Sequence, residues 1–273
     1  MTATSAMIPP RWRPVAYYAA VVVGIALAVI GLGELLLLGI LGWFDAATLD
    51  DMYPGASVHR MHVLAQAVVA WLIAVGILIQ PWRSPRTLGP AIAALVTLVA
   101  YTSAAMVAGV FDPLAVIGVA ALSVIVWAHP GRSARRLLPF RGSMLVLGAP
   151  LIAGSIALAG QQFVVQLSAT SADPHAAIGH YGFTAAMAIS LTVAALIGAT
   201  PLPGRAITAW LAVGGALYYG LASIVFPTEA SSLGVAGGAV ALITAAAYTV
   251  GLGTSRTAAG EPAAVRPHAQ PLA

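Results

Sequence analysis

Long apolar runs, broken by short stretches rich in proline, glycine and charge, dominate this chain. Eight are long enough to matter, at roughly 14–43, 60–80, 88–110, 113–129, 143–166, 178–199, 206–226 and 232–253. A helix that crosses a bilayer needs about 20 mostly apolar residues. Within lipid the backbone polar groups find no water, so each run must close its own hydrogen bonds as an α-helix. The pattern therefore predicts an all-α polytopic membrane protein of about eight transmembrane helices. The run at 113–129 is the shortest. The breaks carry turn chemistry: Pro81-Trp82-Arg83-Ser84-Pro85-Arg86, His129-Pro130-Gly131-Arg132 and Pro201-Leu202-Pro203-Gly204-Arg205. The first run follows Arg11 and Arg13 and is longer than a signal-peptide core, so it reads as a retained helix.

Composition sharpens this reading. Of the 273 residues, 60% are apolar and 7% charged, against roughly 25% charged in an ordinary soluble domain. Cysteine is absent, which excludes disulfides, thiolate metal sites and iron–sulfur clusters. Lysine is absent too, which excludes Schiff-base chemistry; all twelve basic residues are arginine. The net charge of +4 reports orientation in the membrane rather than affinity for nucleic acid.

With eight spans, every arginine but one falls on one side: Arg11, Arg13, Arg83, Arg86, Arg132, Arg135, Arg136, Arg141, Arg205, Arg256 and Arg266. By the positive-inside rule that side is the cytoplasm, with both chain ends in it and the protein in the cell membrane. Arg60 is the exception. The opposite side receives Asp45, Asp50, Asp51, Asp112, Asp173 and Glu229 with His59, His62, His175 and His180.

The halves repeat at a period of about 117 residues, counted from the sequence. His62 and His180 open the second and sixth helices. Asp112 and Glu229 precede the fourth and eighth. Tyr101 and Tyr218 lie in the third and seventh. Four helices per half is an even number, so the repeats are parallel. The expected organisation is a first half at 1–140, a second at 141–257 and a disordered cytoplasmic tail at 258–273.

The candidate chemistry lies on the acidic side. His59, His62 and Gln66 share a helix face at spacings of three and four. In Asp173-Pro174-His175…His180, Asp173 reads as a helix cap with Pro174 as the first helical residue. On one continuous helix His175 and His180 would stand about 140° apart, a poor fit to a single metal ion. Asp112 and Glu229 would add carboxylates facing the histidines, or serve only as helix caps. Imidazole with carboxylate suits zinc, copper or iron, and a haem would also be served by His62 and His180. Within the membrane, Glu34 should face protein or a cavity, because a carboxylate in lipid is unfavourable. Gln161, Tyr101 and Tyr218 would line the same cavity.

In plan the chain resembles the haem A synthase family: eight helices, two parallel four-helix halves, histidines at the outer ends. The resemblance places His62 and His180 where that family's second- and sixth-helix haem ligands stand. The family's further histidines, on the fourth and eighth helices, are here replaced by Asp112 and Glu229, so its activity does not carry over. The segments Asp173-Pro174-His175…Gly179-His180-Tyr181 and Phe226-Pro227…Ser231-Ser232-Leu233-Gly234 also resemble multi-spanning proteins of high-GC bacteria, which brings no function with it. Three readings follow: an extracytoplasmic His/carboxylate site for a metal or haem, redox-linked or not; a small-solute or proton-coupled transporter; a non-catalytic subunit working with other membrane subunits. The sequence names no reaction and leaves open whether the protein is an enzyme.

Overall fold

The computed structural model describes residues 12–134, 142–170 and 172–257. Arg11, Arg135, Arg136, Arg141, Arg266 and the tail at 258–273 lie outside them. Among the described residues there are eleven α-helices and no strand: α1 Trp12–Leu41, α2 Ala46–Met52, α3 Arg60–Leu78, α4 Gln80–Arg83, α5 Leu88–Val107, α6 Pro113–Ala128, α7 Gly142–Ser168, α8 Pro174–Ala177, α9 His180–Gly198, α10 Arg205–Val225 and α11 Gly234–Thr257. Seven of these are long and apolar enough to cross a membrane. The eighth long helix, α6, has 16 residues, or about 24 Å of rise. The protein is thus a polytopic all-α membrane protein. The eight expected runs each become one long helix, and the short helices α2, α4 and α8 sit in the connections.

Burial follows position in the bundle. α3 and α9 are the most enclosed of the spans. α1 turns many large apolar side chains outward, among them Val15, Val22, Val29 and Ile30, as expected of a helix whose outer solvent is hydrocarbon. Small residues let backbones approach. At Gly39 of α1 an added Cβ would lie 2.4 Å from the Ala67 Cβ of α3, so any larger residue there would push these two helices apart.

Each half closes a ring of the same form. α1 and α5 each pack on both α3 and α6; α7 and α10 each pack on both α9 and α11. Between the rings, α9 packs on α3 and α5, and α10 packs on α3 and α5. Exchanging the halves maps this set of contacts onto itself.

The arginine-rich end is knotted by a buried polar network. The Gln80 Oε1 accepts from the Tyr17 hydroxyl at 3.0 Å and the Thr87 hydroxyl at 2.9 Å. Its Nε2 donates to the carbonyls of Gly76 and Thr87. The Gly131 N–H donates to the His129 Nδ1 at 2.9 Å, which leaves the proton on Nε2, 3.2 Å from the same Gln80 oxygen. One amide thereby ties α1, α5 and the end of α6 together. Trp12 stacks on Trp127 at 5.1 Å beside it, and Arg13 donates to the Trp127 carbonyl. Gln80→Ala would leave three buried donors without their acceptor, at a net loss of about 2–4 kcal/mol. Thermal or denaturant unfolding in detergent should register it, and an unchanged midpoint would show that the network is not a structural tie.

Candidate functional site

At the other end of the bundle the sequence brings α3 and α9 together by their N-termini. Each begins on a histidine turn. His59 precedes α3 as its cap residue, and His62 lies one turn in. On the other half the chain departs from the expected single helix. Asp173 does cap a helix, accepting from the N–H groups of His175 and Ala176, but that helix ends after Ala177. Gly179 then takes φ +78°, and α9 starts afresh at His180. The break replaces the 140° separation of a continuous helix. His175 and His180 come from two helices and turn toward the same place.

All four imidazoles meet there. Ring centroids are 4.7 Å apart for His59–His175, 4.5 Å for His59–His180, 5.0 Å for both His62–His175 and His62–His180, and 6.3 Å for His175–His180. The rings alternate between halves around a quadrilateral. The Nδ1 atoms of His59 and His180 face each other at 3.1 Å.

The hydrogen bonds assign most of the protons. The Thr184 hydroxyl donates to the His180 carbonyl at 3.2 Å. Its oxygen is then left to accept from His62 Nδ1–H at 3.0 Å, which puts the lone pair of His62 on Nε2. That nitrogen is buried and has no hydrogen-bond partner. His175 is differently held: its Nε2 lies 3.1 Å from the Val58 carbonyl and its Nδ1 3.3 Å from Asp173. No group of three His, Asp or Glu side chains among the described residues, these four included, is disposed to hold an ion as it stands.

Electrostatics favour neutral rings at the mouth. Burial, and then the neighbouring His175, push the His59 imidazole below its ordinary value. Burial works to raise the Asp173 carboxyl, but the N–H groups of His175 and Ala176, then the His175 ring and the Tyr181 hydroxyl, outweigh it and hold the carboxyl below the usual range.

Asp173 is the one carboxylate within 4 Å of a histidine among the described residues. Asp112 and Glu229, expected to face the histidines, make no such contact. Asp112 caps α6, accepting from the Leu114 N–H at 2.9 Å, and lines an apolar cavity inside the first ring with Tyr101. Glu229 lies in the turn between α10 and α11, half-buried. The intramembrane expectations divide similarly. Glu34 and Gln161 are exposed on the outer faces of α1 and α7 rather than in a cavity. Gln66 is buried on α3. Tyr101 stacks on Phe183 of α9 at 4.6 Å. Tyr218 donates to the Gly39 carbonyl, a bond between α10 and α1.

Sequence reasoning missed Gln166. It is buried; its Nε2 donates to the Ala176 carbonyl at 2.8 Å, and its Oε1 accepts from the Gly182 N–H at 3.1 Å. It thus spans the α8–α9 break from the side and holds both histidine turns in register. The spacing of Gln162 and Gln166, one helical turn apart on α7 and both buried, was the available signal.

Compared with known proteins, the chain matches no family model, no curated protein and no solved structure.

Proposed function

We propose that the four-histidine mouth binds a divalent transition-metal ion, with ligands drawn equally from the two halves. The observation that carries this is the buried, unpartnered Nε2 of His62, in a ring 5.0 Å from that of His180, whose Nδ1 faces that of His59. Metal–imidazole bonds of about 2.0–2.1 Å put neighbouring ligand nitrogens roughly 2.9 Å apart in a square and 3.3 Å apart in a tetrahedron. The 3.1 Å between His59 and His180 lies between the two. His175 joins as the fourth ligand on releasing the Val58 carbonyl, and the other three imidazoles close around the ion as well, since no three of them hold one as they stand. The Thr184 hydroxyl is the outer partner that fixes the His62 tautomer. A bare ion fits better than haem, since rings 5.0 Å apart at His62 and His180 leave no room for a porphyrin between them.

The matching ring contacts and the paired histidine turns favour an internal duplication in parallel, with halves at 1–140 and 141–257. The arginine bias puts the mouth outside the cytoplasm and both termini inside, in the cell membrane. The transporter reading loses support, because Glu34 and Gln161, two of its pathway residues, face outward.

Titration of the purified, chelator-treated protein with zinc or copper(II) alone should show one ion per chain, by calorimetry and elemental analysis. No binding at stoichiometric metal would overturn the proposal. The affinity should depend on pH. The fold holds His59 below the ordinary imidazole value of about 6.5 and so favours the neutral ring. That contribution is complete above the unfolded value and is lost as pH falls from about 6.5 through the folded one. Metal affinity and the stability of the mouth should therefore decline together on acidification, and a flat profile between about pH 7.5 and 5 would count against neutral ligands.

A further inference from the structure

Arg60 is the arginine that breaks the charge rule, and the metal reading does not use it. It is 5% exposed. Its Nη1 donates to the Phe44 carbonyl at 3.0 Å, and its guanidinium lies 4.4 Å over the Phe226 ring. Its Nε is buried with no hydrogen-bond partner, and no carboxylate lies within 4 Å of it among the described residues. The nearby Asp50 attracts it at a distance, but its carboxylate takes its hydrogen bonds from the Ser57 hydroxyl at 2.6 Å and the Ser57 N–H at 2.9 Å rather than from the guanidinium. Phe44 follows the C-terminal end of α1 and Phe226 caps that of α10. The partial negative charges of two helix ends favour a cation here, yet amount to less than a full counter-ion in a desolvated place.

An apolar groove runs inward from the same spot between α1, α3 and α10, lined by Trp43, Phe44, Trp71 and Tyr218 among others. Phe44 belongs to both features: its backbone holds the guanidinium and its ring forms the outer end of the groove. Trp43, also in the groove, packs on the Phe226 ring that carries Arg60. Trp and aromatic neighbours at a helix end mark the headgroup level of a bilayer. A fixed cation at that level, above a slot open to hydrocarbon, is complementary to one chemistry, a phosphate diester attached to acyl chains.

We propose that this groove is a binding site for an anionic phospholipid of the leaflet on the histidine side, its phosphate on Arg60 and one acyl chain along Trp43 and Trp71. The lipid supplies the counter-charge in direct contact that Asp50 does not reach to give, and seals the seam between the halves.

The test uses the full chain, delipidated in neutral detergent and titrated with phosphatidylglycerol, phosphatidylcholine or inorganic phosphate. Phosphatidylglycerol should raise the melting temperature saturably and remain bound in native mass spectra. Arg60→Gln should raise its half-saturating concentration at least about tenfold, Arg60→Lys should retain much of the preference, and Arg83→Gln at the opposite end should leave it unchanged. Equal protection by phosphatidylcholine overturns the proposal, and so does full protection by inorganic phosphate. If Arg60→Gln fails to fold, the lipid comparison on the unaltered chain and on Arg60→Lys decides. Metal binding is measured separately, so failure here leaves the histidine reading standing.

Discussion

His62→Ala should lower metal affinity by more than about 100-fold, beyond the 10–100-fold typical of losing an outer partner, while the bundle stays folded. Three features set this size. The ring is fully buried. Its tautomer is fixed by Thr184. Its free nitrogen has no other use within the protein. Stability without metal should fall by an ordinary core-truncation amount, because the cavity and the lost bond to Thr184 outweigh the removal of one unpartnered lone pair. Calorimetry of the variant beside the parent chain reads the first quantity and thermal unfolding without metal reads the second. Parental affinity in His62→Ala would remove His62 from the ligand set and the proposal with it. Thr184→Val is the companion: it keeps the shape, frees the tautomer, and should cost affinity only within the outer-partner range.

Gly179→Val should damage the site and the fold together. Gly179 has φ +78°, which costs an ordinary L-residue roughly 1–2 kcal/mol and a β-branched one more. Space is also lacking, for an added Cβ would lie 2.6 Å from the Ala108 Cβ of the α5 end. Relief requires either moving α5 away from α9 or straightening the break, and straightening would restore the angular separation that keeps His175 and His180 apart. A melting temperature lower by several degrees and a loss of metal binding are both expected. Unaltered metal binding in a destabilised Gly179→Val would mean that the break shapes the fold without shaping the site.

The helical plan was legible because lipid imposes it: a long apolar run has few alternatives to a helix, and the eight runs appear with ends shifted by a few residues. The short fourth run appears as the short α6. The end of the bundle that gathers histidines was also legible from charge sorting. Their convergence was not: Pro174 and Asp173 announce a helix start, and the stop after Ala177 rests on Gly179 alone, a glycine that a membrane-spanning helix also tolerates in its interior. Only the backbone sign at Gly179 reveals this. Asp112 was ambiguous between cap and ligand, and its hydrogen bond to Leu114 decides for the cap. Glu34 sits on a helix without a polar stripe, so sequence periodicity could not tell its outward face from its inward one; on α7 the stripe is Ser155, Gln162 and Gln166, and Gln161 lies beside it. Gln166 went unseen because its two partners are backbone atoms on another segment.

The shortness of α6 has a further consequence for the surrounding lipid. One end of that helix is pinned by the Trp12–Trp127 stack and the Arg13 bond to the Trp127 carbonyl, so the whole deficit falls at Asp112. An apolar face about 24 Å tall beside a hydrocarbon layer of about 30 Å obliges the acyl chains there to compress, or the helix to upend, on the leaflet that meets the histidines. Membrane thickness thereby becomes a variable to which this flank of the protein is mechanically coupled.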